Sequence, residues 1–135
     1  MADAVTTQTL LDGERLVIIK FTNVSDGTGE SAVTKIDVST LSSNPNGDAC
    51  TGVKINKIWS TTTGMAVNIL WDATTDVLAW TIPQDTNYYM CFGEHLGGIP
   101  NNAGAGKTGD VAFSTIGAAA GDSYSIILEC IKTYG

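Results

Sequence analysis

Charge is scarce in this sequence. Only 16% of its 135 residues are Asp, Glu, Lys or Arg, against an ordinary share of about 25%. The basic residues are few and spread along the chain: Arg15, Lys20, Lys35, Lys54, Lys57, Lys107 and Lys132. Fourteen carboxylates outnumber them and leave a formal charge of −7. No basic stripe exists to neutralise phosphates, so nucleic acid is not an expected partner. An anionic membrane surface is excluded on the same ground.

Histidine is nearly absent. A lone His95 in Gly93-Glu-His-Leu-Gly97 leaves no material for the multi-histidine sites of zinc enzymes. No G-x-S-x-G elbow is present either, so no hydrolase constellation can be assembled. The three cysteines, Cys50, Cys91 and Cys130, are odd in number and lack CxxC spacing. They form neither a disulfide framework nor a zinc site. Long apolar runs are missing as well. None exceeds five residues, whereas a membrane span needs about 20. Residues 1–9 lack the basic and apolar regions of a signal peptide. The expectation is a chain made and kept in a reducing cytosol, or in a particle assembled there, in which case the Asn23-Val-Ser25 sequon is a chance match.

What is abundant points to strands. Hydrophobic residues make up 43%, and Thr, Val and Ile prevail among the strand-favouring types. Met65, Val67, Ile69 and Trp71 alternate with Ala66, Asn68 and Leu70. Tyr124, Ile126, Leu128 and Cys130 share a face in the last run, where Cys130 reads as a small core hydrophobe. Arg15 to Thr22, Val33 to Val38, Val53 to Thr62, Val77 to Ile82, Asn87 to Phe92 and Val111 to Ile116 complete the set. Asp72-Ala-Thr-Thr-Asp76 reads as a hairpin loop, and Pro83 ends the strand before it. The reading is all-β: a single-domain antiparallel β-sandwich, jelly-roll-like or a small barrel, with about eight short strands. Residues 1–12 carry little core pattern and read as an extended N-terminal arm. Residues 13–135 form the sandwich domain.

The remaining motifs favour bland roles. Ala103-Gly-Ala-Gly-Lys-Thr108 ends like a phosphate loop, but Asn101 stands where the first glycine is required. A strand-like run follows it, where a helix N-terminus would have to face phosphate. Asp72 with Asp76, and Asp26 with Glu30, flank loops and read as turn caps. Calcium is the runner-up there, although Asp26–Glu30 and Asn44–Asp48 both miss the EF-hand order. Tyr88 and Tyr89 cannot both face inward, so one is expected on the surface as a contact for sugar or protein. The candidate partner-contact residues are Tyr88, Tyr89 and, in the long Gly93–Gly109 loop, His95, Asn101, Asn102 and Lys107. No catalytic residue, metal ligand or cofactor is expected.

Several stretches carry a resemblance. They are Thr22-Asn-Val-Ser-Asp-Gly-Thr-Gly-Glu30, Val33-Thr-Lys-Ile-Asp-Val38, Val53-Lys-Ile-Asn-Lys-Ile-Trp59, Gly64-Met-Ala-Val-Asn-Ile-Leu-Trp-Asp72, Asn102-Ala-Gly-Ala-Gly-Lys-Thr-Gly-Asp110 and Gly121-Asp-Ser-Tyr-Ser-Ile-Ile-Leu-Glu-Cys-Ile-Lys132. From about Leu10 onward the chain resembles small all-β virion structural proteins of tailed bacteriophages, of the capsid decoration (cement) type. The resemblance implies a non-enzymatic protein on the outside of the head, partnered with itself as a homotrimer and with the major capsid protein or other virion proteins. It implies assembly into the virion in the host cytoplasm. A phage neck, tail or head-fibre component is one alternative, and a carbohydrate-binding β-sandwich module is another.

Overall fold

A computed structural model describes residues 4–93 and 97–134. Nine strands run through them: β1 (Ala4–Asp12), β2 (Leu16–Asp26), β3 (Val33–Ile36), β4 (Cys50–Thr63), β5 (Ala66–Trp71), β6 (Val77–Ile82), β7 (Asn87–Cys91), β8 (Val111–Ile116) and β9 (Ala120–Tyr134). A single 3-10 turn at Val38–Thr40 follows β3, and the Asp37 side chain caps it by accepting from the Ser39 N–H.

The pairing explains the architecture. β2 pairs with β9, β3 with β8, β4 with β7 and β5 with β6, all antiparallel. The chain therefore makes one long double ribbon whose tip is the β5–β6 hairpin. Wrapping that ribbon adds the β4–β9 and β5–β8 ladders. Two sheets result, in the orders β1-β2-β9-β4-β7 and β3-β8-β5-β6. Without β1 this is the eight-strand jelly roll. Both sheets keep free edges, so the structure is a sandwich and not a closed barrel. The ninth strand comes from residues 4–12, which lie antiparallel along β2.

The period-2 segments turn inward as their sequence dictates. Met65, Val67, Ile69 and Trp71 are fully buried, and so are Ile126, Leu128 and Cys130 beside Tyr124. Phe21, Phe113 and Tyr124 form the aromatic centre of the core. The Phe21–Phe113 centroids lie 5.2 Å apart at 69°, and the Phe113–Tyr124 centroids 5.9 Å apart at 70°. Each such large side chain contributes roughly 1.5–3 kcal/mol through burial.

One end of the sandwich is closed by buried polar groups. Lys35 of β3 pairs with Glu30, their side chains 3% and 5% exposed. Glu30 Oε1 also accepts from Asn23 Nδ2 at 3.0 Å and from the Tyr124 hydroxyl at 2.5 Å. Asn23 is thus a core residue, which accords with reading its sequon as chance. The hairpin tip behaves as expected: Asp76 Oδ1 accepts from the Ala73 N–H at 3.1 Å. Asp26 Oδ1 likewise accepts from the Thr28 N–H at 3.0 Å.

Candidate functional site: the outer face of the five-stranded sheet

A break in alternation builds this face. In Val53-Lys-Ile55-Asn-Lys-Ile58, the inward residues are Val53, Ile55 and Ile58. Two residues, Asn56 and Lys57, separate the last two. The ladder to β9 accommodates them with a bulge between Ile55 and Lys57. Both therefore reach the outer side opposite a single residue, Glu129. Asn56 Nδ2 donates to Glu129 Oε2 at 2.6 Å, and Lys57 Nζ stands 3.8 Å from that same oxygen. Asn56 Oδ1 is buried without a hydrogen-bond partner among the described residues.

The β7–β8 loop presses onto the bulge. Ile99 and Ile55 exchange backbone hydrogen bonds of 2.8 and 3.1 Å, and the Phe92 N–H donates to Asn56 O at 2.7 Å. Gly98 sits at φ +95°, and a Cβ there would lie 3.1 Å from Lys54 Cβ and 3.3 Å from Ile55 O. Only glycine fits both the backbone conformation and the gap.

Across the face, Trp59 of β4 stacks on Tyr89 of β7, with centroids 5.4 Å apart and planes inclined by 29°. Tyr89 is 52% exposed. It lines two shallow depressions. One, of about 870 Å³, is bordered by Arg15, Leu16, Lys54, Asn56, Lys57, Tyr89, Cys91 and Ile131, among others. The other, of about 470 Å³, is bordered by Lys20, Trp59, Thr61, Asn87, Tyr89, Ser125 and Ile127, among others. Desolvation, followed by the adjacent Cys91 thiol, pushes the Tyr89 phenol above its usual pKa. The ring is therefore neutral across the physiological range.

Four of the seven basic residues border these depressions: Arg15, Lys20, Lys54 and Lys57. No carboxylate does so among the described residues. The rest of the chain carries three cations and thirteen carboxylates besides Glu129. Scatter along the sequence is not scatter in space, because β2 with its flank (Arg15, Lys20) and β4 (Lys54, Lys57) deliver these side chains to one side of one sheet.

The sequence-derived candidates divide among different places. Tyr89 lies on this face; Tyr88 also borders the smaller depression, while its hydroxyl, on the other side of β7, accepts from Trp80 Nε1 at 2.8 Å. Asn101 and Lys107 come together beside Lys54 in a separate groove of about 510 Å³. There Asn101 Oδ1 accepts from the Ala103 N–H at 2.9 Å. Asn102 is exposed. His95 lies outside the described residues. The glycine-rich stretch before Lys107 runs into strand β8, and Thr108 Oγ1 donates to Asp72 at 2.7 Å. Sequence reading did not gather Trp59, Lys54, Lys57, Lys20 and Arg15 into one surface. The available signal was the doubled polar pair Asn56-Lys57 inside an alternating strand.

Among the described residues, no group of three or more His, Cys, Asp or Glu is placed to hold a metal ion. No helix there is long and apolar enough to cross a membrane. Comparison with known proteins finds no matching family model and no matching curated sequence.

Proposed function

We propose that this protein is a non-enzymatic structural component of a tailed-phage virion, a homotrimer that coats the capsid exterior and holds the shell closed. The observation that carries this reading is β1. It occupies the edge of the five-stranded sheet, and eight of its nine residues are exposed. Its sequence, AVTTQTLLD, contains no Pro or Lys, the residues that commonly blunt an edge against pairing. One side of the strand bonds to β2. The other side offers its ladder groups to a second chain. In a trimer that contact is head-to-tail, with β1 of one copy meeting a different surface of the next.

Two further points support the reading. The jelly roll is a fold used by viral capsid subunits, although lectins use it too and fold alone does not select between them. The residue pattern also resembles that of phage decoration proteins. The mechanism is mass action: each bound copy stabilises the closed shell over the opened one, and a trimer adds three weak contacts through multivalency.

The test has two parts. Light scattering after size exclusion should give the mass of a trimer; a monomer counts against trimeric cement, and a larger closed ring moves the protein to the neck or tail. Heads of the virus that encodes the chain, stripped of it and then reconstituted, should rupture at a higher temperature than stripped heads. Equal rupture temperatures would refute the role.

A further inference from the structure

We infer that the outer face of the five-stranded sheet binds a carboxylate-bearing carbohydrate, stacking sugar rings on Tyr89 and Trp59 and holding their carboxylates with Lys57, Lys54, Arg15 and Lys20. This inference is independent of the virion reading and stands on the surface itself.

Three features combine. The first is the Trp59–Tyr89 stack, whose planes are inclined by 29° and whose Tyr89 is 52% exposed. The stack turns its uncovered ring surface to the C–H groups of a pyranose, and each residue has a polar tip for wet surroundings. The two depressions that border Tyr89 let a chain of sugars pass over the stack. The second is charge. Arg15, Lys20 and Lys54 have no ion-pair partner among the described residues, and Lys57 lies 3.8 Å from Glu129, beyond hydrogen-bond length. Glu129 is itself engaged by Asn56 and is only 9% exposed. The face is therefore positive on a chain of net charge −7. The third is the supply of hydroxyl and amide groups bordering the smaller depression, from Thr61, Asn87 and Ser125.

The alternative occupant is an acidic protein surface. Lysine is depleted at the centre of protein–protein interfaces, where its charge must be desolvated. Here Lys57 lies on β4, between β9 and β7 and two residues from Trp59. A narrow, hydrated, anionic ligand can reach that ammonium and leave it partly in water. This favours an acidic glycan.

The probes are tetragalacturonate and sialyllactose, with maltotetraose as the neutral control and polyaspartate as the peptide control. Either acidic sugar should quench tryptophan fluorescence in wild type and not in Trp59→Phe. Binding should weaken several-fold as NaCl rises from about 0.05 to 0.5 M, where surface charges become screened. Tyr89→Ala and Lys57→Gln should each weaken it at least about fivefold, in line with one lost stacking or charge contact. Both side chains are on the outer face, so both variants should still unfold cooperatively, with a modest fall in midpoint for Tyr89→Ala from the lost Trp59 stack. Failure of both acidic sugars to bind overturns the inference. So does equal binding of maltotetraose, undiminished binding by both folded variants, or binding of polyaspartate with no response to either sugar.

Discussion

The ammonium of Lys132 on β9 pairs with the carboxylate of Asp12 at the end of β1, and the lysine side chain is fully buried. Lys132 Nζ also donates to Ser42 O at 3.1 Å, and Asp12 Oδ2 accepts from the Ser42 N–H and hydroxyl, each at 3.0 Å. One cation thus ties β1, the β3–β4 loop and β9 together. Its two ends are not equivalent. Asp12→Asn leaves a buried ammonium without its counter-charge and should cost about 3 kcal/mol. Lys132→Met leaves Asp12, whose side chain is 22% exposed, free to hydrate while it keeps its Ser42 bonds. That variant should cost less than Asp12→Asn, because the carboxylate it leaves reaches water while the ammonium that Asp12→Asn leaves does not. Urea unfolding at one fixed protein concentration checks the order, and a larger loss for Lys132→Met would contradict it.

Two carboxyls respond to pH in opposite directions. Burial alone would raise Asp12, but the Lys132 and Ser42 hydrogen bonds outweigh it and its pKa lies below the usual value. Stability from Asp12 is present above the unfolded pKa and is lost as pH falls through the folded one. Asp110 is the reverse case. Desolvation first, then the charges of Asp37 and Asp72, raise it, although the Val38 N–H donates to it at 3.0 Å. Its native state holds a proton more tightly than the unfolded chain. Its contribution is therefore greatest in acid and declines as pH rises through the folded pKa. Asp110→Asn keeps an acceptor for Val38 and removes the repulsion. Its Tm should exceed wild type at pH 7, and the gap should close below about pH 4, where the unfolded carboxyl is largely protonated. An equal gap at both pH values would show that charge is not the cause.

Much of the sandwich is legible in the sequence because one sheet face is buried and side chains alternate. Met65 to Trp71 and Tyr124 to Cys130 declare their inner faces that way. The turn caps Asp76 and Asp26 are legible because short acidic side chains bond locally. Other features depend on pairing that no local window contains. β1 carries Thr on both faces, so alternation is silent, and only its register with β2 makes it a strand. Asn56-Lys57 breaks the β4 pattern, but its result, two polar side chains opposite Glu129, needs β9. The basic face draws on positions 15, 20, 54 and 57, and Tyr89 completes it from an edge strand. The choice between jelly roll and barrel also rested on long-range order that the pairs β2–β9 and β3–β8 supply.

The three thiols should react unequally. Cys50 and Cys130 are buried, while Cys91 is half-buried and borders the larger depression. Burial first, then Glu129 and Cys50, pushes the Cys130 thiol up to about 12, which suppresses the reactive thiolate. A disulfide reagent such as DTNB should release one rapid equivalent per native chain, three in denaturant, and none rapidly from Cys91→Ser. Rapid release of two or three equivalents from native protein would mean that the sandwich opens around β4 and β9.

Removal of β1 separates assembly from folding. Residues 4–11 are exposed along both sides of the strand, so they contribute little apolar burial to the core. Asp12 remains in a chain lacking residues 1–11, and with it the Lys132 anchor. The truncated protein should therefore keep its fold, with a modest fall in Tm, and should lose trimer mass and head binding. Truncation also uncovers β2 as a new edge, and Val17-Ile-Ile-Lys20 there is an aggregation hazard. A second variant avoids that difficulty. Thr6→Lys with Gln8→Lys leaves β1 on β2 and blunts its outer side with charge. That protein should be a stable monomer by light scattering. If it is still a trimer and still binds heads as wild type does, β1 is not the assembly edge, and the contact between copies lies on another face of the sandwich.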